Sequence, residues 1–549
     1  MDKPPSIVLK YRPYKELTGF LALPLSNGLS ITMKISSVKK GDTPPCNVAP
    51  DSLKGITRLQ TNPSRWQGDG WQAFAGELRS KGIVVREEKW ERSIFVTDAG
   101  GMAFGLPHGV VRPSSSEDIS MILTAAQTHR VPVVTRGGGL SSEGEAVAFG
   151  GLLIDMTSMN RVLAVDKEKM TVRAEAGIFW HQLAEALRRD GLDYLSAPLN
   201  MTSTIGGVLG VGGIDINSPR LGCSADQAMA VKVVTPTGEI VECSNAENND
   251  LFERVILGYG QFGVITEATM KIRPFTPIKM NYLYYSSLRA AIEDLQIIVK
   301  EDASDYSGIL TVMDRAITLL VAFDSDAREQ EFDAKCRPRL RGHGELNIGI
   351  RLALYYTLRP WRIREAFYIL DRRMKMIPEF FRPEFIRNGK IEDRTVVFSR
   401  AVWKFWGSRQ MIIPDLSASP EKFIEAVERG NAVCRKYFKY YTLYCVGIKK
   451  MGDLPRYEMS CMPPDAKDFA YGCEFEPRLG DKGYSRDYLQ SFKNEIYDIG
   501  VDMGLCYYRF GGMMKGYIRR IFGDTLVDKH LEMKKKADPA MILNPDVIF

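Results

Sequence analysis

Residues 136 to 141 of this 549-residue chain read Arg136-Gly137-Gly138-Gly139-Leu140-Ser141. Successive glycines accept positive φ and expose main-chain N–H groups with no Cβ in the way. Several donors can then converge on one anion, such as a pyrophosphate. Three glycines also serve as a bare, tight connection between two strands, and residue type alone leaves both readings open. A second group, Tyr507-Tyr508-Arg509, sets phenols beside a guanidinium. A neighbouring cation lowers a phenol's pKa, which makes Tyr508 a candidate proton acceptor with Arg509 as its partner. Adjacent tyrosines also suit a strand packed in a core. Asp215 is a third candidate acid or base, in a stretch, Gly-Gly-Ile-Asp-Ile-Asn, that also reads as an exposed turn.

Other chemistries lack their residues. Of five histidines (108, 129, 181, 343, 530), no two stand three to five apart, so a zinc site built on such a pair is absent, and no metal is expected. There is no Gly-x-Ser-x-Gly elbow, and Glu384 stands where a P-loop ending at Gly389-Lys390 needs its first glycine. A dinucleotide fingerprint starting at Gly137 meets Ser142 in place of its last glycine, and one starting at Gly210 meets Asp215. The formal charge of +6, from 73 Lys+Arg against 67 Asp+Glu, is too even for a nucleic-acid binder. Nine scattered cysteines never form Cys-x-x-Cys, which suits reduced thiols and a cytoplasmic location. No apolar run is long enough to span a bilayer, and the short one at Phe20–Leu25 holds a proline and does not read as a secretory leader.

The elements that must position these residues alternate strand and helix. Composition marks residues 1–65 as an irregular arm rich in Pro, Lys, Ser and Thr. A helix is expected over Gly-Trp-Gln-Ala-Phe-Ala-Gly-Glu-Leu, then a strand at Ile-Val-Val-Arg-Glu (83–87). The serines at 114–116 before Glu117-Asp118 predict a capped helix, followed by a strand at Val131–Val134 that delivers the glycine loop. Leu152–Asp155 reads as the next strand, Trp180–Arg189 as an amphipathic helix, and Pro236-Thr237-Gly238 as the turn between two strands. Long amphipathic helices and aromatics after Phe275 predict a second domain to about residue 505, and a Pro-punctuated segment, 506–549, ends the chain. At this length two or three domains are expected.

Six motifs stand in order: Pro-x-Ser-x-Glu-Asp-Ile, Arg-Gly-Gly-Gly-Leu-Ser, Gly-Leu-Leu-Ile-Asp-Met, Thr-Ile-Gly-Gly-x-Leu-Gly-x-Gly-Gly-Ile, Thr-Pro-Thr-Gly-Glu-Ile-Val and Leu-Gly-x-Gly-Gln-Phe-Gly-Val-Ile-Thr. With the tail Asp-Pro-Ala-Met-Ile-Leu-Asn-Pro-Asp-Val-Ile-Phe, this series resembles the FAD-binding domain of the vanillyl-alcohol oxidase / p-cresol methylhydroxylase superfamily. Its wording is most similar to cytokinin dehydrogenases. The resemblance implies an α+β protein: a two-subdomain FAD-binding unit of PCMH type over 66–275, joined again by 506–549, with an α+β cap over 276–505 built on an antiparallel sheet. It implies FAD held in extended form. Arg136, Gly137, Gly138, Gly139, Leu140 and Ser141 would hold the pyrophosphate, with Glu145 and Ala146 just beyond. Thr204, Gly206, Gly207, Gly210 and Ile214 would lie along the ribityl chain and flavin, Ile265 would meet the adenine, and Asn544 with Val547 would close the flavin edge.

Two departures from the family pattern stand out. Leu140 occupies the place of a histidine that bonds covalently to the flavin in many relatives, which implies non-covalent FAD. Leu199 occupies the place of the aspartate base of cytokinin dehydrogenases, so the base must lie elsewhere, with Asp215, Tyr508 and Arg509 as candidates. The expected activity is hydride removal from a small alcohol, amine or phenolic compound, with oxygen or another carrier as electron acceptor. A flavin enzyme without net oxidation and a non-catalytic flavin binder are the alternatives. The basic and aromatic stretch 351–373 fits a solvated cap helix, a homodimer surface, or peripheral contact with anionic lipid.

Overall fold

The computed structural model describes residues 20–24, 30–34, 68, 70–312, 316–342, 386–387, 390–391, 412–451, 462–477, 484–545 and 547–548. The stretch 351–373 lies outside them. Residues 1–60 form a unit of their own, in which β1 (Phe20–Pro24) pairs antiparallel with β2 (Ser30–Lys34). The expected irregular arm therefore contains a hairpin. Asn27-Gly28, a strong hairpin signal, stands in the sequence between the two strands.

The unit from residue 61 onward is built on three sheets. It begins with α1 (Trp71–Ser80), α2 (Lys89–Ser93), β3 (Gly109–Val111), α3 (Ser116–His129), β4 (Val133–Arg136) and β5 (Leu152–Asp155). Strands β3, β5 and β4 lie parallel in that order, with Val133 opposite Leu152 and Arg136 opposite Asp155. All four β5 residues are buried, as a parallel strand covered on both faces requires. The expected cap of α3 is present: the Ser115 hydroxyl accepts from Asp118 N–H, and the Asp118 carboxylate accepts from Ser114. The strand expected at 83–87 shrinks to one bridge, Arg86 to Val110, and Val84 is 68% exposed. Its neighbours Ile83 and Val85 pack in the core, so apolar residues alone do not make a ladder there.

The second sheet takes β6 (Val162–Asp166), β7 (Thr171–Glu175), β8 (Leu192–Tyr194), β9 (Ala228–Val234), β10 (Ile240–Ser244) and β11 (Val264–Pro274), in the order β10-β9-β11-β7-β6 with β8 on the far end of β11. Every pair in it is antiparallel. Between these strands run α4 (Trp180–Arg188), α5 (Ile205–Val211), α6 (Ser218–Leu221) and α7 (Asn249–Val255).

The third sheet has eight strands: β12 (Ile278–Tyr285), β13 (Tyr306–Val312), β14 (Ala316–Phe323), β15 (Ile386–Arg387), β16 (Lys390–Ile391), β17 (Asp415–Ala418), β18 (Tyr441–Lys449) and β19 (Phe469–Pro477). Their order is β15-β16-β12-β14-β13-β18-β19-β17. Helices α8 (Leu288–Lys300), α9 (Asp326–Lys335), α10 (Pro420–Tyr437) and α11 (Arg486–Met503) follow the same stretch, and Phe423, Val427 and Cys434 of α10 share a core with Phe475. The arrangement is α+β. Helices α12 (Lys515–Phe522) and α13 (Asp524–Ala537) lead to the tail, which runs beside β4: Val133 N–H donates to the Ile542 carbonyl and Asn544 N–H to the Val133 carbonyl, both at 2.7 Å. Among the described residues no helix is long and apolar enough to cross a membrane.

Candidate functional site

Strand β4 ends on Arg136, and the glycine loop begins there. The Arg136 guanidinium turns inward, donating to the carbonyls of Thr97 (2.9 Å) and Ala146 (3.0 Å) and lying over the Phe95 ring. Gly139 has φ of 67°, and a Cβ there would run into that guanidinium. A Cβ on Gly137 would overlap the Thr204 hydroxyl, and one on Gly138 would come within 2.6 Å of the Thr202 carbonyl. The three glycines are thus required because the loop presses against the 202–204 segment and Arg136. Among the glycines that border the neighbouring cavity, Gly210 is the one whose added Cβ would meet nothing within 4 Å.

The loop nonetheless presents what an anion needs. The carbonyls of Gly139 and Ser141 accept from Ala99 and Gly100, but among the described residues nothing accepts from the N–H groups of Gly138, Gly139, Leu140, Ser141 or Ser142. The buried Ser142 hydroxyl also has no partner. Unanswered donors are rarely left inside a protein, and all five residues border one cavity of about 300 Å³. A diphosphate fits this donor set.

Carboxyl groups crowd behind the loop. Asp98 accepts from Ser141 and from Gly144 N–H, and Glu145 accepts from Glu143 N–H. Burial, reinforced by Asp98 and Glu143, pushes the Glu145 carboxyl up to about 8, and burial raises Asp98 to about 6. Glu145 borders the cavity and so is only half-buried as a residue. Glu143 is answered by Lys493 of α11 at 2.5 Å, with both side chains almost wholly excluded from solvent.

The same cavity gathers most of the other expected residues. Ala146, Thr204, Gly206, Gly207, Gly210, Ile214, Ile265 and Asn544 all border it, as does Leu199. Thr204 caps α5 by accepting from Gly207 N–H. Asn544 holds the tail to the loop's base, accepting from Thr135 N–H and donating to the Gly260 carbonyl. Two expected residues are not among those that border the cavity. Val547 is 4% exposed and packs in the apolar core away from the cavity wall. Asp215 does not border the cavity; the chain turns there toward α6, and its N–H donates to the Ser218 hydroxyl.

Part of the cavity wall is the third sheet. Asp415 of β17 stands opposite Glu474 of β19, which stands opposite Tyr444 of β18, so one row across three strands presents two carboxylates and a phenol to the cavity. Arg509 reaches both carboxylates, donating to Asp415 at 3.3 Å and to Glu474. Burial opposes the Arg509 charge, but Glu474 and Asp415 together hold the guanidinium firmly protonated. Burial pushes Asp415 up to about 7 against the pull of Arg509 and of the Tyr508 N–H that it accepts. Tyr508 borders the cavity beneath the Arg509 guanidinium, 5.0 Å from its ring, and its phenol oxygen accepts from Gly213 N–H. Tyr507 is a core residue whose hydroxyl donates to the Tyr497 carbonyl. The expected arginine is in place, but its partners are carboxylates rather than a phenolate. Asp415 and Glu474 went unnoticed in the sequence because no local motif flags them; only strand alternation, with Asp415 and Ser417 on one face, could have placed them.

Residues 107–244 match the family described as FAD binding domain. The chain carries an FAD-binding domain of the FAD-linked oxidoreductase superfamily. Its cofactor is FAD. Over 253 residues this flavoprotein is 30% identical to cytokinin dehydrogenase 3 of Arabidopsis thaliana, covering 45% of this chain and 47% of that one. It is 36% identical over 177 residues to the mitochondrial D-lactate dehydrogenase (cytochrome) of Arabidopsis thaliana, covering 31% of each. It is 29% identical over 241 residues to a glycolate oxidase subunit of Bacillus subtilis, covering 42% of this chain and 51% of that one. The flavoprotein thus spans about half the length, or less, of these curated relatives.

Proposed function

We propose that this flavoprotein is an FAD-dependent oxidoreductase that binds its flavin without a covalent bond and takes a hydride from a small alcohol, amine or phenolic compound. In this reading residues 66–275 and 506–549 form a two-subdomain flavin unit, and 276–505 form the cap. The observation that carries the proposal is the single cavity joining the open N–H run of the glycine loop to the Asp415–Arg509–Glu474 cluster. When bound, FAD supplies a two-electron acceptor for the hydride. The loop donors and Ser142 would hold the diphosphate, and Gly210 leaves room for the ligand. Removing a hydride from carbon requires a base for the O–H or N–H proton. Asp415, poised near neutrality, would take it, while Arg509 keeps both carboxylates in place.

A carboxylate substrate is disfavoured here. Arg509 is already shared by two carboxylates, so a third negative group would meet an excess of like charge. The test is direct: purified protein should be yellow, acid precipitation should release all the flavin into the supernatant, and neutral alcohols or amines should bleach the flavin anaerobically. Colourless protein that refuses added FAD ends the proposal, and flavin that stays with the precipitate ends the non-covalent part.

A pH dependence follows from the loop. Glu145 gains its negative charge as pH rises through about 8, beside a bound diphosphate, with Asp98 ionised by then and Glu143 already matched to Lys493. FAD affinity should therefore fall between pH 7 and 9, roughly tenfold for each 1.4 kcal/mol of added repulsion. Glu145→Gln should flatten that fall. Quenching of FAD fluorescence on binding measures it, and an affinity constant across this range in the parent protein removes Glu145 from the site.

A further inference from the structure

The cavity-facing side of the third sheet carries a second row beside the polar one. One pleat along from Asp415, Glu474 and Tyr444 stand Ser417, Gly472 and Val446, again directly opposite one another across β17, β19 and β18. All three border the cavity. Two observations in this row have no structural account within the protein. A Cβ on Gly472 would meet only the Ile448 methyl at 3.6 Å, an ordinary contact, so packing does not demand glycine there. Neither does the backbone, because Gly472 lies within a regular strand and is not among the glycines with positive φ. Ser417, 1% exposed, has a hydroxyl with no hydrogen-bond partner among the described residues. A buried hydroxyl left unanswered costs about 1–3 kcal/mol, so a group that answers it would gain on binding.

We propose that Gly472 and Ser417 are specificity-determining residues that admit a substrate with a flat ring and a polar substituent, an inference that rests on the flavin-dependent reading above. Strands lie about 4.8 Å apart, so Ser417 and Val446 stand roughly 10 Å apart centre to centre, with only a hydrogen atom at the floor between them. Less a van der Waals radius on each side, about 6–7 Å is free, the width of a flat six-membered ring. Val446 and Ile448, both buried, make one side of the notch apolar, and the Ser417 hydroxyl makes the other side polar. A ring lying over Gly472 places the group it carries toward the Asp415–Glu474 row one pleat, roughly 7 Å, away. Its distal substituent meets Ser417. Short linear alcohols reach the carboxylates but leave the notch unfilled.

The experiment mixes FAD-loaded full-length protein with each probe without oxygen and reads apparent dissociation constants from how the rate of flavin bleaching saturates with probe concentration. The probes are 1-propanol, benzyl alcohol and 4-hydroxybenzyl alcohol. The parent protein should bind the two ring compounds at least tenfold more tightly than 1-propanol. Gly472→Val should keep its flavin and lose that preference. Ser417→Ala, a smaller change that guards against misfolding of the valine variant, should weaken 4-hydroxybenzyl alcohol about tenfold and leave benzyl alcohol unchanged. Normal FAD uptake with no ring preference in the parent, or a preference that survives both substitutions, overturns this inference alone. Failure to take up FAD overturns the flavin reading with it.

Discussion

Asp415→Asn should lower kcat/KM for a neutral alcohol by roughly 10²- to 10⁴-fold, the usual range for removing a positioned general base. It should also abolish the rise of kcat/KM with pH. The sign follows from the charge state that works: only the ionised carboxylate accepts a proton. With Asp415 raised to about 7 by burial, the active fraction grows as pH climbs through 7 and is lost below it. Asparagine preserves the shape and one acceptor oxygen, which can keep Tyr508 N–H answered, and Arg509, losing its 3.3 Å contact at this position, retains Glu474. Flavin content should not change, because Asp415 is not among the unpartnered donors of the glycine loop that would hold the diphosphate. Glu474→Gln is the comparison. If it loses the pH dependence while Asp415→Asn stays within threefold of the parent, the proton goes to Glu474 and the assignment to Asp415 is wrong.

How much of this was legible in the sequence differs between the two ends of the cavity. The loop end is local chemistry: Arg136 to Ser141 follow a buried strand, and glycines with a serine cap are written in consecutive residues. Even so, the reason for the glycines differs from the one residue type implies. Gly137 and Gly138 make room for Thr204 and Thr202, and it is the Ser142 hydroxyl and the neighbouring N–H groups that await an anion. The residues of the third sheet could not be read that way. Asp415, Glu474, Tyr444 and Arg509 come from three strands and a loop, with Asp415 and Arg509 94 positions apart in the chain, and each looks like an ordinary strand or surface residue until register sets them side by side. Tyr508-Arg509 was visible as a pair, but a charge pattern cannot say which side of a cavity its partners occupy. Asp215 and Val547 sit within a few positions of residues that border the cavity without bordering it themselves, a distinction that sequence position does not carry.

The largest stability effect should come from Lys493→Met. The Lys493–Glu143 pair is dry on both sides, with exposures of 0% and 1%, and joins α11 directly to the glycine loop. Removing one partner of such a pair strands a buried charge and costs roughly 3–5 kcal/mol. In the double variant Lys493→Met with Glu143→Gln no charge is stranded, so most of the loss should return. Urea unfolding of the FAD-free protein at pH 8 measures these differences. FAD affinity should follow the same order, since the uncompensated Glu143 charge would lie beside the diphosphate donors. A single variant as stable as the parent at pH 8, or a double variant no better than the single, would show that this ion pair does not hold α11 to the loop.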